Sequence, residues 1–311
     1  MRRDNSLMNV SIIGLGLIGG SLGLALRESS IDVVVTGWDR DPAVITAALE
    51  RGAIDRPAFT LHEAVREADL VVVATPVMVV QAIFAQIAAD LKCGAIVSDV
   101  SSTKAQVAAW ARESLPPHVS FIGGHPMAGS ERHGVVNARA DLFRSAVYCL
   151  TPDDHTAPKA LARLEALVAS IGARPLCLSA ADHDAYVAAV SHLPFLLSTA
   201  LAQITTQDPR WAEMSALAAT GYRDLTRLAS GDPVMHRDIC LTNADAIQLW
   251  LRHMAGFLNT LADRLDDAQD LHALFDSAKQ GRDAWVDERQ RSAEQERSLG
   301  EIRTPDPALN V

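Results

Sequence analysis

Val10-Ser11-Ile12-Ile13-Gly14-Leu15-Gly16-Leu17-Ile18-Gly19-Gly20-Ser21 decides the fold of this chain. A short apolar run of this kind is a buried parallel strand. It passes without a break into G-x-G-x-x-G at Gly14, Gly16 and Gly19, and Leu22, Leu24, Ala25 and Leu26 continue it as a helix. The three glycines act differently. Gly14 turns the chain off the strand, Gly16 lets a pyrophosphate approach the backbone, and Gly19 lets helix and strand pack closely. The helix start, with Leu17 and Ile18, then offers free N–H groups and a partial positive charge to phosphates.

The motif alone is weak, but its setting strengthens it. A second strand, Val33-Val34-Val35-Thr36-Gly37-Trp38, ends at Asp39, 20 residues past Gly19. A dinucleotide fold places there the carboxylate that accepts from the ribose 2′-hydroxyl. Asp39 favours NAD; it repels a 2′-phosphate, so NADP is disfavoured, although the adjacent Arg40 can accommodate one.

Strand and helix alternate as far as about residue 180. Asp69–Thr75 is a further strand, and Thr75-Pro76 close it in a loop on the cofactor side. Ala95–Val100, Val119–Gly124, Ala146–Leu150 and Arg174–Leu178 follow, with helical segments between most of them. The expected fold is a doubly wound (Rossmann-like) parallel α/β sheet over 9–180 with an all-α domain after it. From 181 to 289 the periodicity is helical. Ala185–Ala202 is apolar nearly all round and interrupted by Pro194, so it must be buried, and a substrate domain that also forms a homodimer is the expected arrangement. Residues 1–8 read as a loose leader. Residues 290–311, charged and then proline-containing, read as a disordered tail.

Composition excludes several classes. A net charge of −10 over 311 residues argues against nucleic acid. No apolar run in the sequence approaches the roughly 20 residues of a membrane span, and no signal peptide precedes the first strand, so a cytoplasmic location is expected. The four cysteines are scattered, and the ten histidines lack metal-ligand spacing; reduced thiols and no metal are expected.

Three polar residues stand out. His125, in Gly-Gly-His-Pro-Met-Ala-Gly-Ser after a strand end, has the pKa range of a general base. Arg227 is a candidate carboxylate clamp, the alternative being a surface ion pair with Asp224 or Asp238. His192, in Val190-Ser191-His192-Leu193-Pro194, is a ligand or a satisfied core histidine.

Taken in order, Gly14–Leu22, Ser98-Asp99-Val100-Ser101-Ser102-Thr103-Lys104, His125-Pro126-Met127-Ala128-Gly129-Ser130-Glu131, Ser191-His192-Leu193-Pro194 and Asp224-Leu225-Thr226-Arg227-Leu228-Ala229 resemble the motifs of the prephenate/arogenate dehydrogenase (TyrA) family, over roughly residues 9–285. The resemblance implies an NAD-dependent oxidative decarboxylation of prephenate to 4-hydroxyphenylpyruvate in tyrosine biosynthesis, with arogenate as the alternative or additional substrate. It implies that His125 takes the proton of the ring hydroxyl and that Ser102 bonds the same hydroxyl or orients His125. Arg227 would bind a substrate carboxylate, His192 would line the pocket, and Glu131 would gate it. Two positions depart from the family pattern: Phe195 replaces a second histidine, and His236 replaces a tryptophan near the substrate side chain. His236 would pair with a pyruvyl carboxylate or sit exposed. No ACT-type or chorismate mutase domain is recognised, so tyrosine feedback, if present, would act at the active site. A 3-hydroxyacid-type dehydrogenase would need a catalytic lysine in the helical part, and none occurs between Ala181 and Leu274. An NAD-sensing regulator would have no need of His125, Ser102 and Arg227 together.

Overall fold

The computed structural model describes residues 7–129 and 132–301, with side chains as far as Arg291. In chain order it contains β1 (Met8–Ile13), α1 (Leu17–Glu28), β2 (Val33–Trp38), α2 (Pro42–Glu50), β3 (Arg56–Pro57), α3 (Leu61–Val65), β4 (Leu70–Val73), α4 (Val77–Ile87), β5 (Ile96–Asp99), α5 (Ala105–Ser114), β6 (Ser120–Pro126), β7 (Val147–Thr151), α6 (Pro158–Ser170) and β8 (Arg174–Cys177). Helices follow: α7 (Ala180–Val187), α8 (Leu193–Thr206), α9 (Trp211–Ser215), α10 (Thr220–Thr226), α11 (Pro233–Thr242), α12 (Ala244–Ala262) and α13 (Ala268–Glu301).

The strands form one sheet in the order β3-β2-β1-β4-β5-β6-β7-β8. Alternation of side chains along each strand builds a core on both faces. Val10 and Ile12 of β1, Leu70 and Val72 of β4 and Ile96 of β5 join α1, α2 and α6 on one face. Ile13, Val71, Val73 and Val97 join α3, α4 and α5 on the other. Strand order reverses between β1 and β4, which pair in parallel. Such a switch point is where an open α/β sheet leaves a crevice for a ligand, and Gly14 and Thr75 both lie there.

The sheet departs from the expected all-parallel pattern once. β7 runs antiparallel to β6, with His125 opposite Cys149. Among the described residues no crossover helix separates these strands, only a short 3₁₀ turn at Val135–Asn137, and a parallel return needs such a crossover. β8 then pairs parallel with β7 through α6.

Beyond Cys177 the described residues form helices only. The contiguous helical stretch Ala180–Thr206 is long and apolar enough to cross a membrane, with a mean hydropathy of 1.5 over its most apolar window, and a third of that window is buried in this chain. This revises the expectation that no such run exists. It also carries Asp182, His183, Asp184 and His192. A π-turn spans Ala188–His192 immediately before Pro194. Proline has no N–H and its ring crowds the carbonyl four residues back, so the widened turn absorbs it.

By compactness the chain divides into two units, Met1–Trp250 and Leu251–Val311, so the helices as far as Trp250 group with the sheet. The reason is polar: Asp184 of α7 accepts from the backbone N–H of Lys104 and of Ala105, and the hydroxyls of Thr103 and Thr242 bond at 2.8 Å. Strand β1 begins at Met8, inside the expected leader; residues 1–6 lie outside the described ones. α13 continues to Glu301, so the expected tail is helical from 290 to 301. Its Arg, Glu, Gln and Ala residues are strong helix formers. Residues 302–311 lie outside the described ones.

Candidate active site

The turn after β1 is shaped for a dinucleotide. Gly14 has φ +94°, and a Cβ there would come within 2.7 Å of the Ala74 carbonyl oxygen. A Cβ on Gly19 would overlap the carbonyl oxygen of Gly14. Gly16 is different: a Cβ there would meet nothing within 4 Å. Gly16 is also the N-cap of α1 and offers no side-chain cap, which leaves the first-turn N–H groups, at the half-buried Leu17 and Ile18, for an external acceptor. The open space lies where a phosphate must approach. Asp39 is fixed beside this turn, one carboxylate oxygen accepting from Leu15 N (2.9 Å) and the other from Asp41 N (3.0 Å). Each oxygen keeps a lone pair for a ribose hydroxyl. Across the crevice Pro76 starts α4, and the buried Thr75 hydroxyl has no partner. These residues fit a dinucleotide.

His125 lies within β6 itself, at its C-terminal end, not in the loop after the strand. Strand pairing with β7 therefore fixes its backbone. The side chain is 8 % exposed. Its Nδ1 lies 2.9 Å from Nε2 of His183, and Nδ1 of His183 lies 2.8 Å from Oδ1 of Asp184. The same Asp184 oxygen accepts from Lys104 N, and Oδ2 accepts from Ala105 N, both at 2.8 Å. Asp184 thus ties the start of α5 to the histidine pair.

Beside them Lys104 is fully buried, ion-paired with Asp99, and donates from Nζ to the Gly124 carbonyl at 2.6 Å. Asp99 also accepts from Ser101 N and Gly124 N. Burial pushes the Lys104 ammonium down, and the adjoining Asp99 carboxylate pulls it back. Burial first, then the nearness of His183, Lys104 and His192, which disfavours a further positive charge beside them, pushes His125 well below the ordinary histidine range. His125 is therefore neutral at pH 7. Ser102 is half-buried next to Ser101, and none of the described hydrogen bonds engages its hydroxyl.

His192 is 1 % exposed and sits in the π-turn. Its Nδ1 lies 3.3 Å from the Asn243 amide nitrogen, which also donates to the Asp184 carbonyl at 2.8 Å. An amide nitrogen only donates, so Nδ1 accepts and the ring proton of the neutral imidazole is on Nε2. That Nε2–H is buried without a partner. Burial lowers the His192 pKa to about 4. A buried donor with nothing to bond is suited to a substrate oxygen.

The two departures from the family pattern meet each other. The rings of Phe195 and His236 stack with centroids 4.1 Å apart and planes 4° from parallel. His236 is half-buried, its pKa pushed down by burial against the pull of Asp232. Arg227 is exposed at the start of the 3₁₀ turn Arg227–Ser230. Asp224 is taken by Arg223 and Asp238 by Arg237, so among the described residues Arg227 has no ion-pair partner. Glu131 lies outside the described residues.

The structure thus gathers His125, Lys104, Asp99, His192 and the serine turn into one buried cluster. His183, Asp184 and Asn243 belong to it as well, although sequence reasoning did not single them out. Their sequence signal is faint: a His-Asp pair in the first turns of a Ser179-capped helix reads as solvent-facing.

Comparison with known proteins gives the same picture along most of the chain. The family model for the prephenate dehydrogenase nucleotide-binding domain matches residues 22–176, and that for the prephenate dehydrogenase dimerization domain matches 179–279. The prephenate dehydrogenase of Bacillus subtilis is 35% identical over 280 residues, which cover 88% of this chain and 75% of the relative. The cyclohexadienyl dehydrogenase of Zymomonas mobilis is 33% identical over 278 residues, covering 89% and 94%. The crystal structure of an A. aeolicus prephenate dehydrogenase in complex with hydroxyphenyl propionate and NAD+ superposes with a TM-score of 0.79 at 27% identity, covering 96% of this chain and all of that one.

Proposed function

The chain belongs to the prephenate dehydrogenase family, and from that premise we propose that it oxidatively decarboxylates prephenate to 4-hydroxyphenylpyruvate with NAD as oxidant, a step towards tyrosine. The observation that carries this reading is the match of both family domains around a neutral, buried His125.

NAD, when bound, accepts the hydride from the ring carbon that bears the hydroxyl. The chain supplies the rest. Gly14, Gly16 and Gly19 shape the turn, the start of α1 holds the pyrophosphate, Asp39 takes the ribose hydroxyls, and Thr75-Pro76 line the opposite wall. Asp39 turns away a 2′-phosphate, so NADP is the poorer cofactor. His125 accepts the hydroxyl proton as the carbon–oxygen double bond forms, with Ser102 as a second partner of that oxygen. The ring carboxylate leaves as CO₂, its bonding electrons aromatise the ring, and the phenolate oxygen recovers the proton from His125. Arg227 binds a substrate carboxylate and His192 donates from Nε2 to a substrate oxygen; the gating role that the family resemblance implies for Glu131 falls outside the described residues.

Residues 9–180 serve as the cofactor domain and 181–289 as the substrate and dimer-forming domain of a homodimer, in line with the family's dimerization domain. A cytoplasmic location completes this reading, supported by four free cysteines suited to a reducing compartment. A second reading has one observation in its favour. The Phe195–His236 stack presents no fixed positive charge to the substrate side chain, so it does not repel an ammonium. Arogenate is on that ground an alternative or additional substrate.

The test is NADH formation at 340 nm from NAD with prephenate and with arogenate, in the wild type and in His125→Asn. Turnover is expected to fall by about 10²- to 10⁴-fold in the variant while NAD binding persists. Absence of turnover with both substrates, with NAD still bound, would overturn the assignment.

A further inference from the structure

A histidine acts as a base at one nitrogen only, and its partner at the other nitrogen decides which. The buried series Asp184, His183, His125 settles that choice. An ionised Asp184 carboxylate only accepts, so Nδ1 of His183 carries its proton toward Oδ1 at 2.8 Å. His183 Nε2 is then a lone pair. The contact at 2.9 Å requires one donor, so Nδ1 of His125 carries the proton and donates. Nε2 of His125 is left bare. Asp184 cannot turn away, because Lys104 N and Ala105 N donate to its two oxygens. The rings of His125 and His183 meet edge to face, 5.1 Å between centroids, and His183 is fully buried.

We propose that His183 and Asp184 are positioning residues for the reaction. They lock His125 in the tautomer whose Nε2 accepts the substrate proton, and the Asp184 carboxylate stabilises the imidazolium that forms there. The proposal rests on the reading of His125 as the base. The remaining groups around His125 cannot do this. Lys104 is a cation engaged with Asp99 and the Gly124 carbonyl. His192 is held by Asn243. Cys149, opposite it on β7, and Tyr148 are kept protonated by burial.

The experiment compares His125→Asn, His183→Leu, His183→Gln and Asp184→Asn with the wild type, using whichever of prephenate and arogenate the wild type oxidises. In Asp184→Asn the NH2 meets a backbone donor in either orientation, Lys104 N–H or Ala105 N–H, and the negative charge that stabilises the imidazolium is lost. A carboxylate-to-amide change of this kind in a catalytic triad costs on the order of 10⁴-fold in kcat. His183→Leu and Asp184→Asn are expected to lose kcat by about 10²- to 10⁴-fold with KM within a factor of about three. In His183→Gln the amide still accepts from His125 and donates to Asp184, so it is expected to recover at least about tenfold over His183→Leu. The acid limb of the kcat–pH profile moves to lower pH in Asp184→Asn, since loss of the anion makes His125 harder to protonate. Nitrogen-15 spectra of histidine-labelled protein, assigned by comparison with His125→Asn, are expected to show the unprotonated nitrogen of His125 at Nε2 in the wild type; an unprotonated Nδ1 there would overturn the proposal. Wild-type kcat in His183→Leu beside a collapsed His125→Asn overturns the positioning role alone. So does a loss in His183→Leu matched by equal losses of thermal stability and NAD affinity without recovery in His183→Gln. Full activity in His125→Asn overturns the base itself, and the positioning role with it.

Discussion

His192 shows how one buried side chain couples chemistry to stability. In the native chain its pKa is about 4, against an ordinary 6.5, because the ring is shut away from water. The unfolded chain binds a proton near pH 6.5, and the native chain resists one until about pH 4. Between these values the unfolded state holds more protons, so stability rises with pH. The contribution is complete above pH 6.5 and is lost as pH falls toward about 4. Its size is on the order of 3 kcal/mol by the lower end. His125, also depressed, adds in the same direction. Thermal melts should therefore show a loss of Tm between about pH 7 and pH 5 that is smaller in His192→Gln than in the wild type. An equal loss in both would remove His192 from the groups that govern acid unfolding.

At the scale of elements, the strand–turn–helix of Gly14 to Ser21 separates folding from cofactor binding by position. Gly19→Ala drives a methyl group into the Gly14 carbonyl, and overpacking of this kind costs about 1–3 kcal/mol or more, a Tm loss of several degrees at this chain length. Gly16→Ala meets open space, so Tm should stay within about 2 °C while NAD affinity falls at least about tenfold, because the methyl occupies the phosphate's approach. Calorimetric titration with NAD beside a thermal melt reads both quantities. A Gly16→Ala protein that binds NAD like the wild type would break the link between the open space and the pyrophosphate. This element was legible in the sequence because glycine requirements are local and strand burial is written in runs of valine and isoleucine. The direction of β7 was not, since a parallel and an antiparallel buried strand carry the same residues; only the missing helix before it distinguishes them. The π-turn left no periodicity of its own, and Pro194 alone marks it. His183 and Asp184 were hidden for a third reason: packing against β6 and the start of α5 buries them, and no local pattern encodes that packing.

At the scale of the whole molecule, the helical end of the chain is unfinished by itself. Between Leu251 and Arg291 no described side chain is buried. Yet Phe257 and Leu258 are about half exposed and Leu265 and Phe275 more so, Leu265 by 65 %. Apolar side chains in such a series stay in water only at a cost, and contiguous patches of them mark interaction surfaces. The matched dimerization domain includes all four positions. A second copy of the chain covering them would remove this surface from water, and an obligate interface of this kind typically buries about 2,000 Å² or more. Light scattering after gel filtration should give twice the 33.4 kDa chain mass. Leu258→Asp combined with Phe275→Asp places a carboxylate on each of α12 and α13, and burying unpaired charge is prohibitive. The doubly substituted protein should run at the single-chain mass and keep its NAD affinity, since the glycine turn and Asp39 belong to the other compact unit. A wild type that scatters as a single chain at micromolar concentration would remove the dimer and leave those four side chains without an explanation.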